Sequence, residues 1–192
     1  MRYKKLKDLA DINFCTITPS RSKPSAEPIR WLACANFLAD NEIDADAIIN
    51  YVLPDKSWLL HENDIVIKRI TPTFVNYMNR APEDSYCSNN LIIVTPNETV
   101  DGKYLAMVLN EEIGSFSKES SVGAVMKSVS KSDLEEMSIP CPDLKTQQKI
   151  GLLWYNGIEL KKKKMRLAEL ENIKMNYYIN KAIKLLGGKK NG

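Results

Sequence analysis

After Pro142 the chain contains no further proline, and residues 143 to 186 are built mainly from helix-forming residues before Gly187-Gly188. Asp143 can accept the unpaired N–H groups of a first helical turn, and the paired glycines supply a stop. The spacing predicts one long helix over 144–188, entered from a short strand at 137–140 that ends at Pro140. Leu153, Leu160 and Leu167 recur at seven-residue intervals, and Leu170 and Tyr177 repeat the interval. A second row holds Ile158, Met165, Ile179 and Leu186, interrupted by Asn172. Neither row sustains an unbroken a/d heptad, so the helix carries a broad apolar face and not a strict zipper seam. Continuous from Leu144 to Leu186, it reaches roughly 65 Å. The remaining residues make too small a domain to bury that face. A second long helix is required, and one chain supplies one. Gly151 and Gly157 each weaken a helix by about 1 kcal/mol relative to alanine, which marks this stretch as a place for a break or bend.

The rest of the chain is of a size and apolar content that support a real core, with 44% hydrophobic residues among 192. Its longest apolar runs, such as Leu91-Ile92-Ile93-Val94, fall far short of a membrane span. The N-terminus MRYKKLKDLAD has no signal-like apolar stretch, so a cytoplasmic location is the default. Cys15, Cys34, Cys87 and Cys141 form no CxxC pair and His61 is the sole histidine, which argues against a structural metal site and for reduced thiols. Charge is unevenly placed. Residues 1–142 hold 15 Lys and Arg against 20 Asp and Glu, whereas residues 143–192 hold 12 against 4. A nucleic-acid site on the first part must therefore be a local basic patch.

Residues 1–143 read as an α+β domain of short strands and small helices, 144–188 as the helix, and 189–192 as a disordered tail. Strands are expected near Ile29–Phe37, at 48–53, at Trp58–Leu60, at Ile65–Ile67 and at Leu91–Val94, the last stopped by Pro96. Lys103–Asn110 is amphipathic and continues as a helix to about Ile113. GSFSKESSVG at 114–123 reads as a loop, and Ser130–Asp133 caps a helical turn at Leu134–Met137.

No catalytic constellation emerges. Pro142-Asp143 and Glu159-Leu160-Lys161 imitate a PD…ExK nuclease pattern, but that chemistry needs acids and lysine converging on one metal. Here they lie about 24 Å apart along a helix. His61-Glu62 lacks a second histidine, and neither GxxxxGK[ST] nor GxGxxG occurs. The NPPY-type tetrapeptide of amino-methyltransferases is also absent. A hydrolase pairing His61 with a cysteine remains as a rival that nothing positions. Lys161–Lys164 spread around the helix, which suits a solvated face better than one phosphate contact.

Read in order, four segments resemble the specificity subunits of type I restriction–modification systems. They are KKLKDLADI at 4–12, WLLHENDIVIKR at 58–69, the stretch from DGKYLAMVLN through SSVGAVMKSVSKSDLEEMSIPCPDL at 101–144, and the QQKI at 147–150 that enters the helix. The resemblance covers nearly the whole chain and is carried chiefly by the order around IPCPDLKTQQKI. Two departures stand out. Thr71-Pro72 occupies a place where the family often has a glycine after the arginine. Family members also carry two recognition domains and two long helices, so this chain looks like a half-subunit.

The resemblance implies a target recognition domain that reads one half of a split DNA sequence, without catalysis or cofactor. The long helix would pair as an antiparallel coiled coil with a second copy through Leu153, Leu160, Leu167, Leu170 and Tyr177. It would also dock methyltransferase (modification) subunits and, in complete systems, a restriction subunit. Candidate DNA contacts are Lys68 and Arg69 at a strand end, with Arg21, Lys23, Arg80, Lys118 and Lys127 in polar loops. Arginine suits guanine, lysine suits phosphate, and Asn76, Asn79, Asn89 and Asn90 are candidates for adenine. The alternative is a protein-interaction adaptor or regulatory fragment that does not itself bind DNA, which the acidic balance of residues 1–142 favours.

Overall fold

The structure is a computed structural model that describes residues 2–16, 30–44, 56–70, 73–119 and 130–187. Its elements in chain order are β1 (Arg2–Lys5), β2 (Ala10–Phe14), β3 (Arg30–Leu32), β4 (Phe37–Leu38), β5 (Glu42–Ile43), β6 (Ile65–Lys68), β7 (Val75–Tyr77), β8 (Ser85–Cys87), β9 (Leu91–Pro96), α1 (Gly102–Glu119), α2 (Lys131–Glu135), β10 (Ser138–Cys141) and α3 (Leu144–Gly187). This is an α+β fold ending in one long helix. The chain divides into two compact units, Met1–Tyr155 and Asn156–Gly192.

The first unit is organised around a four-stranded antiparallel sheet in the order β2-β9-β6-β7. IVI of β6 and LIIV of β9 are continuously apolar because both faces of the sheet are covered. Ile65, Ile67, Ile92 and Val94 point into a cluster with Leu6, Leu9, Tyr104, Leu105 and Leu109. Val66, Leu91 and Ile93, one residue out of phase, point into a second cluster with Trp31, Phe37, Trp58, Met78 and Cys87. A smaller pairing of β1 with β10, Arg2 opposite Cys141, ties the N-terminal strand to the strand that precedes α3.

Local signals account for the helix starts. Ser130 accepts from the Asp133 N–H at 3.2 Å while the Asp133 carboxylate accepts from the Ser130 N–H at 3.3 Å, a reciprocal cap for α2. Asp143 accepts from the Thr146 N–H at 3.0 Å and caps α3, and hydrogen bonds from Thr146 hold the Asp143 carboxyl below its usual range. Several expectations need correction. Residues 114–119 are not loop: α1 runs on to Glu119, carrying Lys118 within the helix. Lys56–Trp58 form a 3-10 turn, and Leu59 makes only an isolated bridge to Tyr86. β9 runs two residues beyond Val94 and stops at Pro96, opposite Ala10, so the proline ends the strand as expected. The expected strand at 48–53 lies outside the described residues.

The helix α3 is unbroken through Gly151 and Gly157. Gly151 is buried, and a Cβ there would lie 2.5 Å from the Tyr104 backbone nitrogen and 2.6 Å from Asp101 Oδ1. The glycine thus permits backbone contact between α3 and the start of α1; it does not mark a bend. One turn earlier, buried Gln147 accepts from the Asp101 N–H at 3.0 Å and donates to the Pro142 carbonyl at 2.9 Å. Further along, Tyr155 meets Tyr77 edge-on at 5.9 Å, and Lys103 Nζ lies 5.0 and 5.4 Å from the two ring centroids. Gln147, Gly151 and Tyr155 recur at four-residue intervals on one face of the helix.

In the second unit every described side chain from Lys163 to Leu185 is exposed. Leu160, Leu167, Leu170 and Tyr177 are between 47% and 62% exposed, as are Met165, Ile173, Met175, Ile179 and Ile183, and Leu153, near the end of the first unit, is 75% exposed. A solvent-facing apolar row of this length leaves a large transfer free energy unclaimed.

Gly151→Ala is expected to lower stability by about 1–3 kcal/mol, because backbone must move to admit one methyl group; a urea melt measures it. Burial, with Asp101, Glu62 and Tyr155 nearby, raises the Tyr77 phenol from 10.0 to about 12. The folded form therefore keeps this proton more tightly than the unfolded chain. The stability it contributes is complete below pH 10 and is lost as pH rises through about 12. Burial also raises the Tyr104 phenol, so a phenolate absorbance titration should show late-ionising tyrosine signal that Tyr77→Phe reduces by one residue and does not abolish.

Candidate nucleic-acid interface

Antiparallel pairing gathers one set of strand ends. Lys68 closes β6 opposite Leu91, which opens β9; Phe14 closes β2 opposite Ile92; Phe74 immediately precedes β7. The backbone is held tightly here. The Lys68 N–H donates to the Phe74 carbonyl at 3.0 Å, and the Arg69 N–H donates to the Asn90 carbonyl at 3.0 Å. Asn90 has φ of 66°, a left-handed turn residue suited to asparagine, and this turn aims its carbonyl at Arg69.

Both cations lie over aromatic rings. Lys68 Nζ is 4.8 Å from the Phe74 centroid, and Arg69 Cζ is 5.0 Å from that of Phe14. All four side chains are half-buried. Arg69 Nε is enclosed with no hydrogen-bond partner among the described residues, which leaves the two Nη groups as its available donors. The Cys34 thiol donates to the Asn90 carbonyl at 3.4 Å. Burial pushes this thiol up, and the positive charges of Lys68 and Arg69 offset that only in part. Aromatic-backed cations beside turn asparagines can hold phosphate and read base edges.

The other sequence candidates fall differently. Arg80 is exposed three residues beyond Tyr77, at the opposite end of β7 from Phe74. Lys118 is in α1. Arg21, Lys23 and Lys127 lie outside the described residues. Asn89 and Asn90 are half-buried at the Lys68–Arg69 end, and Asn79 is exposed beside Arg80. Asn76 must be removed from the adenine candidates. It is fully buried, with Nδ2 donating to the Leu38 carbonyl at 2.7 Å and the Glu42 carbonyl at 3.3 Å, so it bolts the β4–β5 hairpin to the sheet.

The hydrolase rival gains no support from geometry. The His61 N–H donates to Asp64 Oδ2 at 2.7 Å, and buried Asp64 also accepts from the Thr95 hydroxyl at 2.6 Å. That set holds the turn into β6. The Cys87 thiol is raised by its hydrogen bond with Cys15 and by burial; burial also raises Cys34 and Cys141. A nucleophilic cysteine needs the reverse shift. The residues that reading the sequence missed are Phe14 and Phe74. Phe14 stands in an apolar pattern and looks like ordinary core; nothing local reveals that it meets an arginine 55 positions away.

A family model for the type I restriction modification DNA specificity domain matches residues 1–152. Among solved structures, the chain is similar to the HsdS subunit from Thermoanaerobacter tengcongensis, at 20% identity and TM-score 0.62 over 83% of this chain and 37% of that one. It is also similar to a chain from a structure described as the basis of complex assembly and conformational transition of the type I R-M system. That match has 20% identity and TM-score 0.66 over 95% and 44%. The type I restriction–modification S subunit from M. genitalium matches at 12% identity and TM-score 0.54 over 91% and 44%. The chain spans less than half the length of each. No curated protein matches it by sequence. Among the described residues, no helix is long and apolar enough to cross a membrane.

Asn76→Ala removes the buried amide that donates to the Leu38 and Glu42 carbonyls and is expected to cost about 1–3 kcal/mol. A lowered denaturant midpoint, with the helical circular dichroism signal retained below it, is the result to look for.

Proposed function

We propose that this chain, which belongs to the type I restriction modification DNA specificity family, is a non-catalytic reader of one half of a bipartite DNA site. The observation that carries the reading is the pairing, in one chain, of a specificity domain with a helix whose apolar row is left exposed. Lys68 and Arg69 contact DNA from the end of the sheet, with Arg21, Lys23, Arg80, Lys118 and Lys127 as further contacts. Because residues 1–142 are net acidic, affinity depends on where these few cations stand.

Leu153, Leu160, Leu167, Leu170 and Tyr177 pair antiparallel with the same residues of a second copy. Burying several leucines per chain favours association by more than enough to offset its entropy. A twofold dimer presents two recognition domains in opposite directions, so its target is two inverted half-sites around an unread gap. The paired helices also hold methyltransferase subunits and, in complete systems, a restriction subunit. Methyl transfer and cleavage are these partners' chemistry, in the cytoplasm where the DNA lies. The second reading, an adaptor that binds no DNA, is favoured by the acidic balance of residues 1–142.

Sedimentation should return twice the 21.8 kDa chain mass, and Leu160→Glu with Leu167→Glu should return it once. Filter binding of the chain with its methyltransferase partner should weaken steeply with salt. A monomeric wild-type chain would remove the twofold reader, while dimers that retain no DNA at any salt would leave the adaptor.

A further inference from the structure

We propose that Phe14 and Phe74 are positioning residues for DNA reading, which split the neighbouring cations into a base-reading arginine and a phosphate-holding lysine. The inference rests on the reading that this sheet end meets DNA, and it adds to that reading how the end is organised. The two rings belong to different halves of the core. Phe14 packs on the cluster of Ile92 and Val94, and Phe74 on that of Val66 and Ile93. Lys68 and Arg69 are adjacent in sequence, so the pleat sends them to opposite faces, and each finds the ring of its own face.

The consequence is a difference in freedom. Arg69 is fixed at its backbone by Asn90, at its guanidinium by Phe14, and along its stem by burial of Nε. A planar fork restrained in this way has its bidentate edge set before DNA arrives, which suits the paired acceptors of guanine. Lys68 is a point charge over Phe74, whose backbone carbonyl also receives the Lys68 N–H. A rotatable ammonium carries little directional information and suits a phosphate. The Asn90 carbonyl is shared, since it accepts from the Arg69 N–H and from the Cys34 thiol.

The test uses the full chain with its methyltransferase partner, a duplex selected from a randomised pool by the wild-type complex, and an unrelated duplex. Phe14→Leu is expected to weaken binding of the selected duplex about 2–5-fold, the value of one partly exposed cation–π contact, and to leave the unrelated duplex unaffected. Phe14→Tyr keeps an aromatic face and should restore binding. Phe74→Leu should weaken both duplexes alike and make the salt dependence shallower. Once Arg69→Gln has removed the stacked charge, Phe14→Leu should have no further effect on preference. This double-mutant comparison keeps the question open to refutation even where Phe14→Leu melts early. Loss of preference in Arg69→Gln with none in Phe14→Leu would overturn the positioning role and leave the DNA reading intact. So would an equal loss from Phe14→Leu in either Arg69 background. Wild-type behaviour of both Arg69→Gln and Lys68→Ala would instead overturn the reading of this sheet end, and this inference with it.

Discussion

The close approach of two backbones at Gly151 decides how the first unit is put together. Any side chain at that position would collide with the nitrogen of Tyr104, so α3 can lie against the start of α1 only because the residue is glycine. Gln147 fastens the same contact one turn earlier by accepting from Asp101, and Tyr155 extends it one turn later by meeting Tyr77. Three turns of α3 thereby belong to the unit that holds the sheet. Removing the Asp101 N–H from water demands a partner, and the buried amide of Gln147 supplies one without introducing charge.

The sheet contributes something different at its other end. Its two central strands, β6 and β9, are buried on both faces, so their middles are uniformly apolar and their ends carry the chemistry. Those ends do not resemble one another. At the Tyr77 end, Lys103, Tyr77, Tyr155 and Asn63 make a cluster around the buried Tyr77 ring, in which the Tyr77 hydroxyl donates to Asn63. At the Lys68 end, two cations ride on half-buried rings beside a left-handed asparagine turn. An acidic unit can thus present a compact basic point, because Coulomb interactions near a surface are decided within about one Debye length.

Much of the architecture was legible before any coordinate. Asp143 and Ser130 have local partners for their caps, and IVI and LIIV are too apolar to be anything but buried strand or helix. The proline-free tail could form only one long helix. What escaped the sequence reading has identifiable causes. β7 and β8 are VNY and SYC, strands whose polar residues are buried, and their hydrogen-bond partners lie far away in sequence, as when Asn76 reaches Leu38. GSFSKE looks like loop by composition, yet α1 continues through it. In each case a contact that no local window contains overrides local preference.

The sequence by itself determined that there would be a mixed sheet-and-helix unit, that a long amphipathic helix would follow Asp143, and that four separated segments would resemble type I specificity subunits. These properties follow from spacing, capping and order along the chain, which are one-dimensional. Tertiary structure alone decided that Gly151 is a contact and not a kink, that Asn76 is a bolt, and that Arg69 rests on Phe14 while Lys68 rests on Phe74. Each depends on which strand lies beside which. That neighbour relation is set by the burial of both sheet faces at once, a condition satisfied only when the whole unit has closed.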